Sequence, residues 1–174
     1  MRIGVQRNLP WLICQGSAGS EVETRHLHRI VNLGGTSYSA NAGISCPLQS
    51  FSNKASLGAT LKAGFEQARF DRPGGNNRSA EFSVRYEHAL SNTSGLQATW
   101  QMAHTGDLSG YSPLLEYNAS RRLQRQALSL ALRQTLSPTW EALLNVEYFQ
   151  QRSNLPLFDQ QGSVVTFGLA RRFN

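Results

Sequence analysis

No run of apolar residues in this chain approaches the roughly 18 needed for a membrane-crossing helix, so a helical membrane protein is excluded. Lysine is nearly missing: Lys54 and Lys62 are the only two, and the net charge of +6 is carried by arginine. Cysteine occurs only as Cys14 and Cys46, with no CxxC or Cys/His spacing that would hold zinc. A disulfide and two free thiols are both compatible with that pair. Gly-rich phosphate loops, nucleophile elbows and a Ser or Asp set beside a His are also missing. His88 and His104 fall on apolar positions, and His26 and His28 sit in a stretch without pattern. The expectation is a non-enzyme with no cofactor and no metal.

The N-terminus lacks an ordinary export leader. MRIGVQRNLPWLICQGSAG offers Arg2 and Arg7, but its apolar patch from Leu9 to Cys14 is short and broken by Pro10. The chain therefore reads as a fragment, or as one whose true start lies upstream.

What is present is alternation. Ala55, Leu57, Ala59, Leu61, Ala63 and Phe65 share one parity, while Ser56, Gly58, Thr60, Lys62, Gly64 and Glu66 share the other. Residues 79–90 repeat the pattern, and a period of two sends each set to one face of a β-strand. Strands are expected at 36–48, 55–70, 79–90, 95–105, 123–136, 140–151 and 163–173. Residues 1–35 are poorly patterned, with HLHRIV as one further candidate strand and Gly34-Gly35 as a turn. The expected fold is all-β: an antiparallel up-and-down transmembrane β-barrel, or part of one, with about seven or eight strands over 36–174. Mean hydropathy is only −0.38, which a barrel permits because every second residue faces lipid.

Connections alternate in length. The short links 49–54, 91–94 and 137–139 are expected on the periplasmic side, and the longer 71–78, 106–122 and 152–162 outside. Aromatic girdles are expected from Trp140, Phe51 and Phe173 at one margin and from Phe70, Tyr148 and Phe82 at the other. The polar parity assigns Lys62, Glu66, Glu81, Arg85, Arg125, Arg133, Glu141 and Glu147 to a lumen wall, the carboxylates laddered with Lys62, Arg125 and Arg133. Arg69, Arg72, Arg78, Arg121, Arg122 and Arg152 gather at the outer loops, where guanidinium forks suit lipopolysaccharide phosphates. That scatter along strand ends does not suit nucleic acid. A soluble antiparallel barrel holding a hydrophobic ligand inside the Leu/Ala/Phe parity is the alternative.

The last third carries a further signal in Ser153, Asn154, Pro156, Leu157 and Phe158, followed by Gly168, Leu169 and Phe173. This loop and strand resemble the barrel ends of tetratricopeptide-repeat outer-membrane proteins, including surface lipoprotein assembly modifiers. The resemblance implies a bacterial outer-membrane export barrel for lipoprotein or polysaccharide, inserted by the barrel assembly machinery among outer-membrane lipids. Nothing in the chain resembles the helical-repeat domain of those families, and it ends Phe173-Asn174 rather than on the aromatic.

Overall fold

The computed structural model describes residues 1–9, 14–25, 34–48 and 54–171. Nine strands follow in chain order: β1 (Arg2–Leu9), β2 (Cys14–Arg25), β3 (Gly35–Pro47), β4 (Ala55–Ala68), β5 (Asn77–Ala89), β6 (Ser94–Asp107), β7 (Arg122–Ser137), β8 (Trp140–Ser153) and β9 (Gln160–Arg171). Each is antiparallel to the next, in a single sheet ordered β1 to β9 without crossovers. β1 and β9 do not pair with each other, so the sheet is open rather than a closed barrel.

The seven strands expected from alternation are all present, with ends shifted by a few residues. The N-terminal expectation needs correction. Two strands, not at most one, lie before residue 35, and β2 pairs with β3 continuously from Gln15↔Ser45 to Arg25↔Gly35. Its own period is faint because Cys14, Gly16, Ala18 and Ser20 are small and only Val22 and Thr24 are β-branched. Ladder bonding to β3, rather than side-chain pattern, makes it a strand. Gly35 is the first residue of β3 rather than part of a turn. A Cβ there would lie 2.8 Å from the Gln67 carbonyl, so glycine is what lets the two backbones approach. HLHRIV, Phe51 and Phe173 lie outside the described residues.

Hydroxyl side chains shape two of the short turns. Ser91 Oγ accepts the Thr93 N–H at 3.1 Å, and Ser137 Oγ accepts the Trp140 N–H at 3.1 Å. A register shift between Thr135 and Ser137 marks the one irregularity in the β7–β8 ladder.

Register carries the alternation across the whole sheet. Leu61, Phe82 and Met102 stand in one cross-strand row, and Leu128, Tyr148, Trp100 and Val84 in another. This apolar face is the exposed one: Leu61 is 58%, Val165 68% and Phe167 66% accessible. Some carboxylates opposite are more sheltered, with side chains of 19% for Glu66 and 17% for Glu141, while Glu23 and Glu87 are about half exposed. Among the described residues only Cys14, Ala55 and Leu155 are buried apolar side chains. The sheet curls toward its polar face, where Gln6, Ser17, Ser45, Thr60 and Arg85, from five different strands, line one hollow of about 330 Å³.

The register also puts Cys14 beside Cys46, and they form a disulfide between β2 and β3 with Cα atoms 4.2 Å apart. It closes a chain segment of 32 residues. In the chain-entropy account such a loop contributes about 3–4 kcal/mol. Cys14→Ser/Cys46→Ser is therefore expected to lower the denaturant midpoint of the folded chain by an amount equivalent to that figure, while far-UV circular dichroism keeps its strand signature.

Candidate functional site

All eight residues assigned to a polar wall lie on the polar parity of the register. Diagonal pairing brings four of them together as two ion pairs between β7 and β8. Arg125 Nη2 donates to Glu147 Oε1 at 3.1 Å, and Arg133 Nε lies 2.7 Å from Glu141 Oε1. Arg85 and Glu87 are 3.9 Å apart and both more than half exposed, which makes that contact weak. Lys62 departs from the expected ladder. It turns from Glu81, directly opposite on β5, to Glu21 on β2 at 3.8 Å. Glu21 also takes the Arg2 guanidinium, so a cation–carboxylate–cation cluster ties β1, β2 and β4. Sequence reading missed Glu21 because its strand was not identified. Glu81 makes no ion pair among the described residues.

On β8, two apolar residues break the polar parity. Phe149 stands directly opposite Gly162, and the edge of its ring covers the space a side chain there would fill. The Arg125 guanidinium lies 4.6 Å from the ring centroid on the same face. Leu143 joins Lys54, Glu87, His88, Gln97 and Arg133 around a second hollow of about 530 Å³ at the short-turn end. His88 Nδ1 is 2.8 Å from the Tyr86 hydroxyl, and His104 is exposed on the apolar parity.

The long-loop end is a packed cap. Arg121 forms a two-pronged bond to Asp107, whose side chain is only 3% accessible, at 3.1 and 3.2 Å. The same guanidinium lies 4.9 Å from the ring centroids of both Tyr111 and Phe158, which meet edge to face. Leu155 is fully buried in this end, and the Asn154 side chain bonds the Arg122 N–H and the Ser120 carbonyl. Gly74 adopts a φ of +80° against Asp107, where a Cβ would strike the carboxylate. Thus Asp107 and Tyr111, neither singled out by sequence, and Phe158, noted there only as part of the 153–158 loop signal, lock together the connections that follow β4, β6 and β8. A residue at a strand end and two loop aromatics carry no periodic signal.

The six loop-side arginines divide accordingly. Arg72 is sheltered, bonded to Glu66 Oε1 at 2.9 Å and to the Gly75 carbonyl, and Arg121 sits inside the cap. Arg69 lies against the Phe70 ring. Arg78, Arg122 and Arg152 are exposed on the apolar parity, just beyond its apolar stretch, and make no ion pair among the described residues. Arg78 and Arg122 flank Gly106 in one row. No group of three or more potential metal ligands occurs among the described residues. No protein-family model, curated protein or solved structure matches the chain.

The cap predicts a local effect of charge removal. Asp107→Asn leaves the Arg121 guanidinium without its carboxylate in a sheltered site, at a cost of about 2 kcal/mol, or roughly a 30-fold rise in loop opening. Trypsin cleavage after Arg121 and Arg122 is expected to speed up by that order while the sheet signal stays intact.

Proposed function

We propose that this sheet is a wall of a bacterial outer-membrane β-barrel, the C-terminal portion of an export or translocation barrel, with its concave polar face toward the lumen. The observation that carries the reading is the inversion of the two faces. Large apolar side chains are exposed on one face of strand after strand, while on the other guanidiniums pair with carboxylates that are less exposed than they are. Nine strands at about 4.8 Å spacing make a wall about 40 Å wide, far beyond the few hundred Å² of apolar patch that soluble monomers expose. Lipid is the environment in which such a face costs nothing.

Three further features support it. Strands β2 to β9 are 12 to 16 residues long, ample for the 9–11 or so that a tilted crossing requires. Connections alternate between short and long from one end of the sheet to the other. The disulfide suits an oxidising compartment such as the periplasm. The soluble alternative requires the Leu/Ala/Phe parity to enclose a ligand, whereas that parity is the exposed face here. The identity of the cargo, lipoprotein or polysaccharide, rests on the resemblance of residues 153–173 alone.

Outward arginines just past the apolar band stand where lipid phosphates lie. Arg78, Arg122 and Arg152 therefore take the lipopolysaccharide role, and Arg72 and Arg121 serve the loops instead. Arg78→Gln/Arg122→Gln is expected to weaken retention in lipopolysaccharide-containing vesicles and leave retention in phosphatidylcholine unchanged. Equal loss in both lipids would assign the pair to the fold.

Neighbouring residues on β7 test the orientation of the wall. Leu130→Arg is expected to cost about 2–4 kcal/mol in a bilayer, and Ser129→Arg, on the opposite face, less than about 1 kcal/mol. Denaturant unfolding from vesicles measures both. A chain that is folded and monomeric without detergent, and indifferent to Leu130→Arg, refutes the reading.

A further inference from the structure

The two edges of the sheet differ in a way the lumen wall does not explain. From Gln160 to Ala170, β9 has no charged residue and no proline on either parity. Its pairing with β8 is one-to-one from Trp140↔Arg171 to Gln151↔Gln160, with no bulge to bend the edge away. Charges, proline and bulges are how proteins protect an exposed edge, and β9 has none of the three along this stretch. β1 is different, since its eight residues include Arg2 and Arg7.

Direction then limits what can cover the β9 edge. In a strictly alternating series of nine, β1 and β9 run the same way, so closing the sheet on itself would need a parallel seam. A second copy rotated about the barrel axis presents the same parallel geometry. A copy turned over would offer an antiparallel β9, but it exchanges the long-loop end for the short-turn end, which a membrane forbids. This step rests on the membrane reading above. Single-chain bacterial barrels are antiparallel with an even strand count. In lipid each unpaired backbone group costs several kcal/mol, so the edge requires a strand.

We propose that the outer edge of β9 over Gln160–Ala170, which pairs with no other strand among the described residues, accepts an antiparallel strand from outside the nine. The residues of β9 set its character. Val165, Phe167 and Leu169 lie on the apolar parity, so the incoming strand carries apolar residues on that side. Gly162, Val164, Thr166, Gly168 and Ala170 are small or uncharged on the other, and a Cβ added at Gly168 would meet nothing within 4 Å. The incoming strand therefore carries small or hydroxyl-bearing residues there. Strands added in odd number, the one at β9 antiparallel to it, make the count even.

The test uses the unmodified chain in detergent micelles and a synthetic twelve-residue peptide alternating leucine with serine or threonine. The peptide bears a photoreactive benzophenone near one end or the other, and mass spectrometry maps the adducts. An N-terminal label is expected on residues 166–170 and a C-terminal label on 160–164, with a scrambled peptide of equal composition at least about tenfold weaker. Val164→Lys/Thr166→Lys, which places inward charges on the edge, is expected to reduce labelling by about as much. Reversed positions, equal labelling by the scrambled peptide, or no adducts on β9 while the sheet signal persists would each overturn the proposal. Any of those results in a chain that still pays the Leu130→Arg penalty refutes the edge assignment and spares the membrane reading.

Discussion

The pleat is the constraint on which everything else in this molecule depends. Backbone hydrogen bonds to both neighbours fix each inner strand in an extended form, and extension sends successive side chains to opposite faces. A chain that alternates Leu with Ser or Glu must then form a sheet with two chemically different surfaces. The ion pairs exist because their members share a face: Arg125 and Glu147 belong to different strands but to one parity. The exposed leucines exist for the same reason, since no second layer lies over their face among the described residues.

Wall and cap are built by different physics. Along the strands, side-chain contacts are pairwise and repetitive, and removing one leaves the backbone ladder intact. At the long-loop end the contacts converge on a single guanidinium that is bonded to a sheltered carboxylate and held between two rings. The regular ladder stops at the strand ends, and beyond it a few backbone bonds, such as those from the Gly74 N–H to the Gly110 carbonyl and from the Ser109 N–H to the Gly74 carbonyl, act together with side chains to order the loops. The cap spends an arginine, an aspartate and two aromatics on the task.

Much of this architecture is written in local periodicity. The strand expected at 79–90 is Asn77–Ala89, because apolar and polar residues alternate from Ser79 to Glu87, and that expected at 123–136 is Arg122–Ser137, because Leu128, Leu130, Leu132 and Leu136 share one parity against Arg125, Ser129 and Arg133. β1 and β2 escaped because small residues and a misplaced Arg7 blur their period, so their strand character comes from neighbours. The partner of Lys62 was misjudged as a direct result, since Glu21 lies on an unidentified strand. Face assignment for the wall residues follows from parity alone. The division of the arginines does not, because Arg72 and Arg121 are turned inward by groups that meet only once distant loops have packed. The cysteine pair was open for a similar reason: its answer lies in the β2–β3 register, not in spacing.

Strand order has a kinetic side. Each strand bonds only to its predecessor and successor in the chain, so forming a new pair never requires closing more than one connection. Loop-closure entropy grows slowly with length, and the two residues between β7 and β8 keep it small for that hairpin. Low contact order of this kind favours rapid assembly, with every completed strand serving as the template for the next. Growth can proceed hairpin by hairpin from any starting pair, and no long-range search is needed until the two outermost strands are reached.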